Sequence, residues 1–258
     1  MSAQIHSTAI INDGAVIGEN VKIGPYCVIG SDVTIGDGTE LYSHVVVDGY
    51  TFIGNDCKLH PFARIGGQTQ DLKFKGGKPG VKVGDRTVIR EYVTVNAATN
   101  DGEFTTVGSD CLIMAYCHVA HCCQVGNRVI MANLAQLSGH VVVEDMATIE
   151  GSVGVVQFCR VGTMAFIGGG SLIRKDVPPY MIGVGSPLEI RSTNKIGMER
   201  RGVSEESRKQ LKEAFRLLYR KELSVTQALE QIESTLDQTE EVKHLVEFIK
   251  NSQTGITR

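Results

Sequence analysis

Several features that mark membrane, secreted and nucleic-acid-binding proteins are missing from this sequence of 258 residues. No run of about 18 apolar residues occurs, so we do not expect an integral membrane protein. The 26 Lys and Arg residues nearly balance 29 Asp and Glu residues, a net charge of −3 that gives no reason to expect nucleic acid as a partner. A regular repeat already begins at Ile5 and leaves no room for a signal peptide. We therefore expect a cytoplasmic protein with reduced thiols.

An aliphatic residue recurs at every sixth position through most of the chain, and between Val107 and Ile173 the period never slips. A helix repeats near 3.6 residues and a strand near 2, so neither produces a strict period of six. A short fixed period is typical of coils stacked on their neighbours. Six residues correspond to one side of a triangular parallel β-helix with 18 residues per coil. The 26 aliphatics that keep the rhythm predict roughly nine coils, a prism about 40 Å tall.

Small residues also keep the period. Six of the seven cysteines lie four residues after a repeat aliphatic, where other repeats place Ala, Val, Thr or Ser. We interpret this slot as a second inward position, and buried cysteine behaves there as a small hydrophobe rather than as a metal ligand or half of a disulfide. Only Cys122 lies off the pattern. Glycine often follows the aliphatic directly, and we expect it there because tight corners require unusual φ and ψ angles.

The six-residue period is interrupted twice, over residues 66–82 and 96–106, and it ends before the C-terminus. Because a solenoid does not need such excursions, we predict two binding loops, with plain surface insertions as the alternative. The β-helix is predicted over residues 1–190. Residues 191–258 are predicted to form a helical domain, whose first helix is capped by Ser204. Its segment 191–221 holds ten Lys or Arg against four Glu, which suits a phosphorylated substrate or an acidic partner.

One column of outward residues could carry chemistry. Residues 18 apart stack on adjacent coils, which aligns His121, Gly139 and Gln157, with His118 and His140 beside them. An imidazole next to a bare backbone N–H is suited to acyl transfer. The imidazole takes a proton from the attacking hydroxyl or amine, and the amide of Gly139 stabilises the oxyanion. This chemistry needs no cofactor and no metal. A zinc site of His118, His121 and His140 is the alternative.

Eight short motifs follow one another along essentially the whole chain. They are Gln70-Asp71-Leu72-Lys73-Phe74, Ile89-Arg90-Glu91, His118-Val119-Ala120-His121, Val125-Gly126-Asn127, Gly139-His140, Gln157-Phe158, Asp176-Val177-Pro178-Pro179 and Arg200-Arg201-Gly202. Single hexads are shared by many acyl- and acetyltransferases. The ordered combination resembles the UDP-N-acetylglucosamine O-acyltransferase family, which performs the first step of lipid A synthesis.

This resemblance implies a left-handed parallel β-helix with a small C-terminal helical domain. It also implies a homotrimer with active sites between adjacent subunits. The expected reaction transfers a 3-hydroxyacyl chain from acyl carrier protein, an acidic partner, to the 3-position of UDP-N-acetylglucosamine.

The resemblance also assigns roles to individual residues. His121 would be the general base and the backbone of Gly139 the oxyanion donor. Asp71 and Lys73, on the first loop, would hold the sugar and diphosphate region. The other assignments are His118, His140 and Gln157 for the sugar and nucleotide pocket, Asn194, Arg200 and Arg201 for the nucleotide, and Gly169 for the acyl-chain length limit.

Three positions depart from the family pattern. Asn96 and Val156 stand where members of the family have histidines, which keeps a 3-amino UDP-sugar analogue open as the acceptor. Cys122 stands in place of the Asp that follows the base. We expect a backbone carbonyl to orient His121 in its absence.

Other functions stay open at this point. A related N-acyltransferase carries a uridine-binding domain ahead of its prism, whereas the repeat here starts at Ile5. An acetyl-CoA-dependent sugar acetyltransferase is a second alternative. A structural β-helix without catalysis is the third, and the column at His121 together with the Asp71 and Lys73 loop argues against it.

Overall fold

The computed structural model describes residues 2–258, which form a stack of very short strands followed by helices. The strands of the stack are β1 (Gln4–Ile5), β2 (Ile10–Ile11), β3 (Val16–Ile17), β4 (Lys22–Ile23), β5 (Val28–Ile29), β6 (Val33–Ile35), β7 (Glu40–Leu41), β8 (Val46–Val47), β9 (Tyr50–Ile53), β10 (Lys58–Leu59), β11 (Arg64–Gly67), β12 (Gly80–Val83), β13 (Val88–Ile89), β14 (Thr94–Asn96), β15 (Phe104–Val107), β16 (Leu112–Ile113), β17 (His118–Val119), β18 (Gln124–Val125), β19 (Ile130–Met131), β20 (Gln136–Leu137), β21 (Val142–Val143), β22 (Thr148–Ile149), β23 (Gly154–Val155), β24 (Arg160–Val161), β25 (Phe166–Ile167) and β26 (Leu172–Ile173). An antiparallel hairpin and four helices follow: β27 (Met181–Val184), β28 (Glu189–Thr193), α1 (Lys195–Arg200), α2 (Glu205–Tyr219), α3 (Val225–Thr235) and α4 (Glu240–Lys250).

Every third strand of the stack joins the same parallel sheet, so the chain forms the three sides of a prism. Sheet 1 begins with β1 and β4 and is extended by the hairpin; sheet 2 begins with β2 and β5, and sheet 3 with β3 and β6. In sheet 2, Val119 lies opposite Leu137, which lies opposite Val155. The predicted stacking of residues 18 apart and the 26 predicted sides are both confirmed.

The core is a set of columns that run the length of the prism. The second residue of nearly every strand points inward and is buried, while the first faces outward. In sheet 2 the buried column is Ile29, Val47, Ile65, Val95, Val119, Leu137, Val155 and Ile173. Each such side chain contributes about 1.5–3 kcal/mol by leaving water. Successive coils therefore adhere mainly through these columns.

The six cysteines of the repeat are buried at the second inward position, as predicted, and all seven cysteines are free thiols. Thiols at this position can also donate hydrogen bonds. The thiol of Cys117 donates to the carbonyl of Ala132 at 3.1 Å, as the hydroxyl of Thr39 does to Gly54 at 2.8 Å. Burial raises the pKa of Cys117 to about 11, so the proton stays on sulfur. The slot requires a small side chain, since Ala and Val also occupy it, and Cys and Thr add a hydrogen bond to the carbonyl of the next coil there.

The expected reason for glycine directly after the aliphatic is wrong at most sites. Of the eleven such glycines, only Gly66 has a positive φ, +83°. At most of the others the next coil leaves no room for a side chain: a Cβ on Gly36 would lie 2.7 Å from the carbonyl carbon of Gly54. The left-handed conformation instead falls three residues after the aliphatic. There, 17 non-glycine residues have φ between 53° and 68°, and Tyr180, three residues after Val177, makes an eighteenth.

All four helices lie within residues 191–258, and α2 begins directly after the predicted cap. Ser204 caps α2 by accepting the N–H of Ser207, with Glu205 and Glu206 in the first turn. Helix α1 was not predicted, because its six residues include only one buried side chain, Met198, and show no apolar period. No helix within residues 2–258 is long and apolar enough to cross a membrane.

A polar cluster attaches the helices to the last coils of the prism. Glu144, just after β21, accepts a hydrogen bond from Nε2 of His244 in α4 at 2.8 Å and pairs with Arg160 at 3.2 Å. The guanidinium of Arg160 in turn lies 4.0 Å over the ring of Phe248. The hydrogen bond to Glu144 raises the pKa of His244. Burial alone would raise the pKa of Glu144, but its hydrogen bonds outweigh burial and lower it.

This cluster predicts a pH-dependent stability. The contribution of His244 is complete below its ordinary pKa of 6.5 and is lost as pH rises through the raised folded value. The contribution of Glu144 is complete above 4.5 and is lost as pH falls through its lowered folded value. We therefore expect His244→Gln, which stays neutral, to lower Tm most between about pH 4.5 and 6.5.

Thermal unfolding of the wild type and His244→Gln from pH 4 to 9 measures this difference. His6→Ala, an exposed residue of the first coil, is the control. The same Tm difference at every pH would contradict the predicted role of the ion pair.

Candidate active site

His121 lies in the turn that carries the chain from β17 in sheet 2 to β18 in sheet 3. The register places Gly139 and Gln157 at the same corner of the next two coils, as predicted. Cys122 follows His121 in the left-handed conformation, with φ of 60°, and the N–H of Cys122 is held by the hydroxyl of Thr105 at 2.8 Å. The half-buried imidazole is thereby aimed along the outside of the corner.

A threonine from the second excursion holds the ring of His121. Nδ1 lies 3.1 Å from the hydroxyl oxygen of Thr99, and that hydroxyl lies 3.4 Å from Oδ2 of Asp71. The Thr99 hydroxyl donates to the carboxylate and accepts from Nδ1–H, which leaves Nε2 without a proton. The expected backbone carbonyl is therefore not the orienting group; a side-chain hydroxyl takes that place.

Gly139 is required by the position of His121. A Cβ at Gly139 would overlap the Cε1 and Nε2 atoms of the imidazole, so only glycine lets the ring lie against the backbone. The N–H of Gly139 donates to no acceptor among residues 2–258. At the corner between sheets 3 and 1, by contrast, Asp145 Oδ1 accepts the equivalent N–H, that of Asn127, at 2.7 Å. The uncapped amide of the buried Gly139 is available to an oxyanion.

The electrostatics of the site favour a neutral imidazole. Burial lowers the pKa of His121, Asp71 opposes this shift, and His140 and Lys73 add to it. With a pKa below 6.5 the ring is mostly unprotonated at neutral pH and can accept a proton. Burial also lowers the pKa of His118, whose Nδ1 is paired with the hydroxyl of Thr94 at 2.7 Å.

The first excursion places two charged residues near this ring. The backbone N–H of Lys73 donates to Oδ1 of Asp71 at 3.0 Å, and this bond is the main cause of the lowered pKa of Asp71. The ammonium group of Lys73 is exposed and has no ion-pair partner within the described chain. Asn96, at one of the departing positions, donates to the carbonyl of Gln68 at 3.0 Å and so anchors the start of this loop.

A cleft of about 350 Å³ lies between the excursions and the outer face of sheet 2. It is lined by Gln70, Asn96, His118, Ala120, His121, Gln136, Leu137 and Ser138. His140 lies at its edge, edge-on to His121 with ring centroids 5.2 Å apart, and stacks on Phe158. Gln157 is exposed one coil beyond Gly139. The structure thus assembles most of the predicted acceptor pocket on one chain.

The remaining predicted residues lie elsewhere. Arg201 lines a separate cleft of about 530 Å³ over sheet 1, together with Arg86 and Arg128. Asn194 uses its amide to cap α1, accepting from Gly197 at 3.0 Å and donating to the carbonyl of Met164 at 2.8 Å. Sheet 1 faces away from the corner that carries His121, so a single chain does not bring these groups together. Gly169 is exposed at the corner between sheets 1 and 2.

Sequence reasoning missed Thr99 and its hydroxyl. The residue lies in an excursion outside the 18-residue register, so its spacing to His121 carried no signal. A partly different set of potential metal ligands also appears: His121, Cys122 and His140 have ligand atoms within 4.8 Å of one another. Nδ1 of His118, from the predicted zinc set, is taken by Thr94.

Comparisons with known proteins cover nearly the whole chain. Residues 176–257 match the family model for domain 2 of UDP-N-acetylglucosamine O-acyltransferase, and residues 14–49 and 104–139 match that for bacterial transferase hexapeptide repeats. The acyl-[acyl-carrier-protein]–UDP-N-acetylglucosamine O-acyltransferase of Thermodesulfovibrio yellowstonii is 46% identical over 256 residues, covering 99% of both chains.

Solved structures of similar proteins cover the whole fold. A UDP-N-acetylglucosamine acyltransferase from Bacteroides fragilis has a TM-score of 0.96 and 37% identity, over 99% of this chain and all of its own. That from Francisella novicida has a TM-score of 0.95 and 37% identity, over 99% of this chain and 94% of its own. These similarities confirm the predicted left-handed winding of the β-helix.

The relay through Thr99 predicts how the pKa of His121 responds to mutation. Asp71 is the group that raises it, so Asp71→Asn is expected to lower the pKa of His121 further. Titration of the histidine ring resonances by NMR measures the shift directly. Asp13→Asn, exposed at the same corner five coils away, is the control and leaves the pKa unchanged. A higher pKa in Asp71→Asn would contradict the arrangement.

Proposed function

The chain belongs to the acyl-[acyl-carrier-protein]–UDP-N-acetylglucosamine O-acyltransferase family, and we propose that His121 is the general base of its reaction. The enzyme transfers an acyl chain from acyl carrier protein to UDP-N-acetylglucosamine, the first step of lipid A synthesis. One observation carries the proposal: the imidazole of His121 lies against the bare backbone of Gly139, whose N–H is uncapped.

The chemistry is a direct transfer. Nε2 of His121 takes the proton of the 3-hydroxyl as the sugar oxygen attacks the thioester carbonyl of the 3-hydroxyacyl carrier protein. The carbonyl oxygen becomes an oxyanion and accepts the N–H of Gly139. When the intermediate collapses, the carbon–sulfur bond breaks and His121 returns the proton to the leaving thiolate. The Nδ1–Thr99–Asp71 relay stabilises the imidazolium that exists between these two transfers.

Substrate binding is assigned to the groups around this centre. Asp71 and Lys73 hold the sugar and diphosphate, since the free ammonium of Lys73 suits a phosphate oxygen. His118 lines the cleft, His140 lies against the ring of His121, and these two residues together with Gln157 are assigned to the sugar and nucleotide.

Completion of the site by another copy of the chain is part of the proposal. The predicted nucleotide residues Asn194, Arg200 and Arg201 lie on the side of the prism away from His121, so they complete a site only in a neighbouring subunit. We assign the assembly as a cytoplasmic homotrimer. The basic segment 191–221 is its surface for the acidic carrier protein.

Loss of the base tests the mechanism. His121→Ala is expected to lower kcat by about 10² to 10⁴, because general base catalysis supplies a factor of that size. The fold stays intact, since the ring lies outside the packed columns. Activity with 3-hydroxyacyl carrier protein and UDP-N-acetylglucosamine is the measurement, with His6→Ala as control; more than about a tenth of the activity left would assign the base elsewhere.

Mixing two inactive variants tests the shared site. Trimers refolded from equal amounts of His121→Ala and Arg201→Ala chains regain about a quarter of the wild-type sites, if each site joins His121 of one copy to Arg201 of another. Activity is measured with UDP-N-acetylglucosamine far below the concentration that saturates Arg201→Ala, so that neither variant alone is active. Failure of the mixture to recover activity would place the whole site within one chain.

Gly169 is predicted to limit the acyl chain. It has no positive φ, and a Cβ there would meet only the carbonyl oxygen of Gly151 at 3.3 Å, so the fold does not demand glycine. Gly169→Met is expected to shift preference to a chain several methylenes shorter, since each unburied methylene forfeits about 0.8 kcal/mol.

A series of 3-hydroxyacyl carrier proteins of increasing chain length measures this preference. Ser43→Met adds the same side chain to the same corner six coils away and leaves the ranking unchanged. If a folded Gly169→Met enzyme ranks the acyl chains as the wild type does, Gly169 does not limit the acyl-chain length.

A further inference from the structure

Cys122, the residue that follows the general base, contributes to a group of ligand-type side chains. One ligand atom from each of His121, Cys122 and His140 lies within 4.8 Å of the others. Cys122 and His140 are 18 residues apart and share the left-handed corner conformation, with φ of 60° and 59°. Their side chains therefore leave the prism in parallel from adjacent coils. The N–H of His140 donates to the carbonyl of His121 at 3.0 Å, which fixes the spacing of the coils.

We infer that His121, Cys122 and His140 bind a thiophilic divalent cation, Zn²⁺ in the first place, and that the bound ion blocks the general base. Two imidazoles and a thiolate form a nitrogen and sulfur set that selects Zn²⁺ and excludes Mg²⁺ and Ca²⁺. Zinc lies about 2.0–2.1 Å from nitrogen and about 2.3 Å from sulfur.

The surroundings of the three residues suit coordination. The ring nitrogens of His140 have no hydrogen-bond partner among residues 2–258, and Nε2 of His121 is the nitrogen that Thr99 leaves free. Thr99 and Asp71 then form the hydroxyl and carboxylate support that a metal-bound imidazole needs on its far side.

Two polar groups also lie near the sulfur of Cys122. The backbone N–H of Thr99 donates to Sγ of Cys122 at 3.4 Å, a bond that stabilises the thiolate. The thiol of Cys122 donates to Oε2 of Glu103 at 3.7 Å, and once the thiol has lost its proton to solvent the same oxygen can become a fourth ligand. On binding, Cys122 releases its proton to solvent and the ion takes the lone pair of Nε2.

The ion is an inhibitor rather than a cofactor. The direct transfer requires the Nε2 lone pair for the proton of the attacking hydroxyl, and a coordinated nitrogen has none to offer. The inhibitory consequence rests on His121 being the proposed base, whereas the metal site does not. Cys122 distinguishes this chain, because an Asp in its place would offer a harder oxygen ligand.

Cobalt is the probe of the site. Metal-free, reduced protein is titrated with Co²⁺, which replaces Zn²⁺ and gives a thiolate-to-cobalt charge-transfer band together with the visible bands of a tetrahedral ion. We expect one Co²⁺ per chain, displaced by Zn²⁺. Cys122→Ser loses the charge-transfer band and at least about tenfold in affinity. Cys122→Asp, a second variant in case serine perturbs the fold, binds without that band.

His44→Ala is the matched control, since His44 has the same corner conformation, with φ of 60°, outside this cluster. Its titration is expected to match the wild type. The absence of a charge-transfer band in the wild type, or an equal band in Cys122→Ser, would overturn the metal site, because the other six cysteines are buried.

Activity completes the test. Zn²⁺ is expected to inhibit the wild type over the range in which it displaces Co²⁺, and Cys122→Ser to require at least about tenfold more. If the charge-transfer band does not depend on Cys122, the metal site is refuted, but the proposal that His121 is the base is unaffected. Full activity with Zn²⁺ bound at Cys122 would overturn the inhibition and would mean that His121 is not the base.

Discussion

The stacking of coils in an 18-residue register is the constraint on which the rest of the molecule depends. Each inward aliphatic lies on its counterpart in the next coil, and several of the small inward residues, such as Cys117, donate to a carbonyl of that coil. A slip by one residue would turn the buried columns outward, so the register is strongly specified. Once it is set, the positions of outward residues follow without further interactions. Chemistry can then be built by choosing the residues of one corner in successive coils.

The corners of the prism show how this choice separates structure from function. Between sheets 3 and 1, side chains such as Asp145 and Asn127 cap the backbone N–H of the coil below. Between sheets 2 and 3, the equivalent amide of Gly139 stays uncapped and carries the ring of His121 instead. The same backbone geometry thus serves cohesion at one edge and holds the proposed catalytic residues at another. Only the outward side chains differ.

The regular part of the chain could be predicted from the sequence because its period is a direct consequence of backbone geometry. Counting residues along the 6- and 18-residue periods predicts the sheets and the buried cysteines. It also predicts the column of His121, Gly139 and Gln157. Thr99 could not be predicted, since an excursion has no register and its hydroxyl reaches His121 through the path of the loop. The reason for the glycines was also missed, because a close approach between coils is a property of packing rather than of one residue's φ.

The left-handed corners bear on how such a chain folds. Eighteen non-glycine residues hold a conformation that costs an L-amino acid about 1–2 kcal/mol each when nothing supports it. That support comes from the coil on either side, through hydrogen bonds such as that from the N–H of His140 to the carbonyl of His121. A single coil has no neighbour and cannot hold its own corners. We therefore expect the smallest stable unit to contain at least two stacked coils, roughly 36 residues, to which further coils add.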